Sequence, residues 1–127
     1  MVKQSGSLVP DTFSHELIFV VKEEDGISVI TGCGRLGVLN MVLATKRRFP
    51  GEPIKAVLGG FHMISNPITG GMAGTPAEVK AMALRFRELG CQRVISGHCT
   101  GRKASAILKQ ELKESYSQLS TGIAFEV

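Results

Sequence analysis

Residues 93–101, R-V-I-S-G-H-C-T-G, run a short β-branched stretch straight into a glycine-flanked His-Cys pair. Beyond it, Ala104, Ile107, Leu108 and Leu112 recur at the spacing of one helix face, which predicts a helix from Arg102 to Ser115. A strand that turns through glycine into a helix is a βα unit, and similar units stand upstream. Ile27 to Thr31 (I-S-V-I-T) leads through Gly32-Cys33-Gly34-Arg35-Leu36-Gly37 into a helix predicted from Gly37 to Phe49. Pro50-Gly51 stops that helix, and Lys46, Arg47 and Arg48 sit at the negative end of its dipole. Ile54 to Leu58 reads as a buried strand ending in Gly59-Gly60-Phe61-His62. Thr75-Pro76-Ala77-Glu78 then starts a helix, with Thr as N-cap, Pro at the first position and Glu placed to close a capping box. Its apolar stripe is Val79, Met82, Ala83, Phe86 and Leu89, and Gly90 ends it.

Outward from these units, His15 to Lys22 pairs naturally with Ile27 to Thr31 across the Glu23–Gly26 turn as a hairpin. Ile123 to Val127 alternates as a closing strand, and residues 1–12, polar and turn-rich, are expected to be poorly ordered. The predicted order is β-β-α-β-α-β-α-β over residues 13–127. It is an α/β fold with a largely parallel sheet connected by right-handed crossovers. Parallel sheets are covered on both faces, and three helices cover two faces only thinly. A partner layer is therefore expected.

Composition narrows the function classes. With 43% apolar and 20% charged residues in 127, the chain can bury a core and is not a disordered tail. No apolar run reaches the roughly 18 residues of a membrane span, and residues 1–10 lack the apolar segment of a secretory signal, so a soluble cytoplasmic protein is the expectation. The net charge of +4 comes from basic residues spread over three helices. With one Tyr and no Trp there is little to stack bases on, and no specific nucleic-acid partner is expected. Cys33, Cys91 and Cys99 are odd in number and unpaired in spacing, which favours reduced thiols.

Sites in α/β proteins lie where strands end. Gly32–Gly37 spells G-x-G-x-x-G between strand and helix, so a dinucleotide- or phosphate-binding module is one reading, with Gly32, Gly34 and Arg35 against an anion. The acidic residue that fingerprint needs after the next strand is missing, since that strand ends Leu58-Gly59-Gly60-Phe61. Cys33, His62 and His98 each follow a strand, and two imidazoles with a thiol suit zinc or another divalent transition metal. In the His98-Cys99 pair the turn is expected to point one of the two toward the shared crevice. A third reading is an interaction protein that binds no metal.

The succession G-I-S-V-I-T-G-C, A-V-L-G-G-F-H and R-V-I-S-G-H-C-T-G, in that order on a β/α frame, resembles the metallo-β-lactamase superfamily. It is most similar to the subgroup that includes the dihydropterin-linked ribofuranosylaminobenzene phosphate synthases, and covers residues 13–127. The resemblance implies the C-terminal half of an αββα sandwich whose metal site lies at the strand ends. It implies His98 as a metal ligand, Cys33 where many relatives carry a bridging Asp, and His62 close to the site. Gly32, Gly34, Arg35 and Thr100, in the loops after two of the strands, are the candidates for binding a substrate or anion. Arg35 stands where the subgroup has His, and a permanent cation there repels a metal. The family's H-x-H-x-D-H run is absent, for His15, His62 and His98 are the only histidines. The expectation is a half-domain with weak or no metal binding alone, completed by a second copy as a homodimer or by a separately encoded N-terminal half.

Overall fold

The computed structural model describes residues 1–66 and 68–127. Its strands are β1 (Val2–Gln4), β2 (Ser7–Val9), β3 (Ile18–Glu23), β4 (Gly26–Thr31), β5 (Ile54–Gly59), β6 (Ile64–Asn66), β7 (Gly71–Met72), β8 (Arg93–Ser96) and β9 (Tyr116–Gln118). The helices are α1 (Val38–Arg48), α2 (Pro76–Glu88) and α3 (Arg102–Leu112). A five-stranded sheet has the order β3-β4-β5-β8-β9, antiparallel at β3–β4 and parallel thereafter.

That order decides the layering. From β4 onward each strand adds beside the previous one in the same direction, so right-handed crossovers deliver every helix to one face. Val38 and Val42 of α1, Phe86 of α2 and Leu108 of α3 join Val57 and Val94 of the sheet in a single core. Val57 pairs with Val29 on one side and Val94 on the other, so this core runs across the strands without a break. The α2 cap forms as its sequence specifies: Thr75 Oγ1 accepts from the Glu78 N–H at 3.2 Å, and the Glu78 carboxylate accepts from the Thr75 N–H at 2.6 Å. These bonds hold the Glu78 carboxyl below its ordinary pKa. At the hairpin end, the Lys55 ammonium bridges Glu23 (2.7 Å) and Asp25 (2.8 Å), fastening the β3–β4 turn to β5.

The opposite face has no helix. Because Ile18 and Val20 turn to the core, Phe19 and Leu17 turn away, and they are 65% and 78% exposed. Arg93 also lies on this side, where its guanidinium stacks over Phe125 and donates to the Glu126 carbonyl. The C-terminal stretch thus crosses part of the face and leaves its β3 side open.

One expectation changes. The closing strand is not Ile123 to Val127, which forms no regular structure; β9 lies earlier, at Tyr116–Gln118. Its anchor is the Tyr116 hydroxyl, 3.0 Å from Ser96 Oγ, beneath the parallel pairing with β8. The third helix is α-helical to Leu112 and continues as a 3-10 turn, Lys113–Ser115, to the expected end, with Lys113 at a positive φ of 51° where the geometry changes. Residues 1–12 contain the β1–β2 hairpin, almost wholly exposed, and β6–β7 adds a second small hairpin that the sequence reading lacked.

Candidate metal centre

Three loops meet at the C-terminal ends of β4, β5 and β8, and backbone hydrogen bonds lace them together. The Gly60 N–H donates to the Gly32 carbonyl at 2.8 Å, and the Met63 N–H to the Cys99 carbonyl at 2.8 Å. Thr100, fully buried, accepts the Phe61 N–H on its hydroxyl at 3.0 Å. Two glycines permit this approach. A Cβ on Gly34, which has φ +61°, would fall 2.6 Å from the Gly60 carbonyl oxygen, and one on Gly60 would fall 2.5 Å from Cys99 Sγ.

Within this junction one ligand atom from each of Cys33, His98 and Cys99 lies within 4.8 Å of the others. His98 opens a 3-10 turn, His98–Thr100, and takes a left-handed φ of 51°; it and the next residue, Cys99, both place a ligand atom in the group. Cys99 Sγ accepts the His62 N–H at 3.3 Å and, as a thiol, donates to the Cys33 carbonyl at 3.4 Å. Burial pushes the Cys99 thiol above its ordinary pKa; the His62 N–H opposes that rise and Cys33 adds to it. Both histidines have positive φ, 49° at His62 and 51° at His98. Non-glycine residues held in that region store strain, a recurrent property of functional loops.

Each residue singled out from the sequence can now be located. Cys33 and His98 come together; His62 is beside them, but the atom it offers to the cluster is its backbone N–H. Cys99, which the sequence reading set aside as the partner of His98, belongs to the group. Gly32 and Gly34 are occupied in loop packing, and Thr100 has its hydroxyl engaged by Phe61. Arg35 is exposed, and its N–H donates to the Glu16 carboxylate at 2.9 Å. A cleft of about 420 Å³ opens beside His98, with Thr69, Gly101, Arg102, Lys103 and Gln118 in its wall. Among the described residues that wall holds no carboxylate. The first N–H groups of α3 have no side-chain cap, so their positive end adds to the two cations.

The donor set can be tested for fit against a metal. Two thiols and an imidazole are borderline-soft ligands, suited to zinc or iron and poorly suited to magnesium or calcium. Three protein ligands leave a coordination position open. Gly60, lacking a side chain, keeps the space around Cys99 Sγ clear. The residues fit a thiophilic divalent ion.

The chain has the fold of one part of a metallo-β-lactamase superfamily protein. It superposes on the crystal structure of Tm1679, a metal-dependent hydrolase of the β-lactamase superfamily, with TM-score 0.84 and 33% identity over 98% of this chain and 45% of that one. Among curated proteins it is similar to the 7,8-dihydropterin-6-methyl-4-(β-D-ribofuranosyl)-aminobenzene-5'-phosphate synthase of Methanocaldococcus jannaschii, 29% identical over 119 residues. That alignment takes in 94% of this chain and 38% of the synthase, so the chain spans less than half of either relative. No protein-family model matches the chain. No helix among the described residues is long and apolar enough to cross a membrane.

Proposed function

We propose that the chain is one αβ layer of a metal-dependent enzyme acting on a phosphorylated substrate, with Cys33, His98 and Cys99 as its share of the metal ligands. The convergence of those three ligand atoms within 4.8 Å carries the reading. A divalent ion held there supplies Lewis acidity toward a bound substrate oxygen. The rest is done by the chain itself. The His62 N–H orients Cys99 Sγ, and the cleft beside His98 presents Arg102, Lys103 and the α3 N-terminus to an anionic group. Three ligands without the H-x-H-x-D-H run make a weak site, so the isolated chain binds at most one ion and turns nothing over. A second αβ layer completes the site, contributed by a second copy of the chain or by a partner half. The exposed Leu17 and Phe19 on the helix-free face support such a layer, because a face of that kind is normally covered.

Cobalt(II) titration of the chelator-treated protein tests the ligand set. Thiolate-to-cobalt absorption should appear and be lost in Cys33→Ser and in Cys99→Ser, weaken about tenfold or more in affinity in His98→Ala, and persist in His62→Ala. Undiminished binding in the double variant Cys33→Ser/Cys99→Ser would refute the reading. Light scattering tests the second layer: an association through the open face should bury roughly 2,000 Å² or more. A folded monomer at micromolar concentration would rule out the second copy and leave the partner half.

A further inference from the structure

We infer that Cys33 and Cys99 are an oxidisable pair, and that a disulfide between them is a modification site that excludes metal from this loop junction. The bond itself rests on geometry alone; only the exclusion of metal rests on the ligand set proposed above. The two sulfurs belong to a group whose ligand atoms lie within 4.8 Å of one another, and a disulfide needs them at about 2.05 Å, a closure of under about 3 Å. Cys99 is already turned toward its partner, since its thiol donates to the Cys33 carbonyl at 3.4 Å. On the β5 side Gly60 lies against both residues: a Cβ there would fall 2.5 Å from Cys99 Sγ and 3.4 Å from the Cys33 Cα, and glycine has none. Both cysteines sit in loops at the sheet's end and are partly exposed, so reagents reach them.

Cys91 provides the internal contrast. It is 8% exposed, packed in the core, and burial pushes its thiol up to about 11, with Lys46 opposing. Burial in the core, away from the other two sulfurs, keeps oxidant from it. One chain thus carries a reactive pair and a silent control.

The oxidant is a hydroperoxide. One cysteine sulfur attacks the terminal peroxide oxygen, the O–O bond breaks, and that sulfur becomes a sulfenic acid as water or alcohol departs. The second sulfur attacks the sulfenic sulfur, the S–O bond breaks, and a second water leaves with the S–S bond formed. Two electrons pass from the thiol pair to the peroxide, and both thiol protons end in the released products. In the product both sulfurs are bonded to each other and neither is a thiolate ligand, so His98 remains alone.

The experiment uses the full chain, freed of metal by chelator and exposed to hydrogen peroxide, followed by alkylation and mass spectrometry. The expected result is an intact mass lower by two hydrogens, a peptide joining Cys33 to Cys99, and Cys91 recovered as a free thiol. Dithiothreitol should restore the starting mass. Cys33→Ser and Cys99→Ser should each abolish the cross-link and trap a sulfenic acid on the remaining cysteine, while Cys91→Ala should cross-link as the parent does. Sulfinic acids without a cross-link, chains linked to one another, or Cys91 in the bond would each overturn the proposal. Repeating the oxidation with saturating zinc separates the two ideas, the expected slowing being about tenfold or more. A cross-link that forms at the same rate with zinc would defeat the metal reading and leave the oxidisable pair standing.

Discussion

The helix-covered face and the loop junction at the strand ends are built to different standards. On the face, Phe86, Ile27, Val57 and Leu108 are sealed from water, and each contributes by burial alone. At the junction, two histidines take strained backbone angles, two thiols approach each other, and a carbonyl oxygen fills the place where Gly34 would otherwise carry a side chain. Such an arrangement does not stabilise the fold. It persists because the strands beneath hold it in place, which is the usual relation between a scaffold and the site it carries.

The contrast predicts that stability and metal binding will separate by position. Phe86→Ala removes a fully buried ring that packs 5.5 Å from the Phe61 ring, and it should cost about 3–5 kcal/mol in chemical denaturation. If that variant unfolded at the parent's midpoint, the face would not be the source of stability. Gly60→Ala should show the reverse: the new methyl lands on Cys99 Sγ, lowering cobalt affinity about 10- to 100-fold with a much smaller change in unfolding. Equal losses in both measurements would mean that junction and face are one cooperative unit. Thr75→Ala, remote from the junction, should cost about 1 kcal/mol by removing the α2 cap and leave metal binding untouched.

The smallest expected effect is one of pH. The Glu78 carboxyl is lowered by its bonds to Thr75, so it stabilises the folded state above the pKa of the unfolded chain. That contribution fades as pH falls through the folded pKa, which lies below the ordinary 4.5. Glu78→Gln should therefore be slightly less stable than the parent at neutral pH and indistinguishable from it in strong acid. A difference that grew on acidification would contradict the capping box as the source.

Most of the scaffold was legible because its signals are local. The stripe from Val79 to Leu89, the T-P-A-E start and the glycine stops each follow from period or capping, and they formed where expected. The junction was legible in part: glycine turns after three strands correctly pointed Cys33 and His98 to one edge. Cys99 was missed because the turn was expected to direct only one of the His98-Cys99 pair to the crevice, whereas the backbone, left-handed at His98, brings an atom of each to it. Strand β9 was missed for a non-local reason. Tyr116-Ser117-Gln118 carries little strand character, and what makes it a strand is its ladder to β8 and the Tyr116–Ser96 contact, formed with residues about twenty positions away. Ile123 to Val127 had the alternation but forms no ladder with any described strand.

Sheet order and chain order coincide in this molecule, from β3 to β9. During synthesis, a strand emerging from the ribosome always finds its neighbour already waiting, and none has to be inserted between two others. Each βα unit can dock as it appears, so the entropic cost of loop closure is met in short instalments. The order also sets a timetable. Cys33 is made and placed early, while His98 and Cys99 arrive only when β8 docks. Throughout that interval the nascent chain presents one open parallel edge and the Cys33 thiol without its later neighbours, which makes the period before residue 99 the most vulnerable in its assembly.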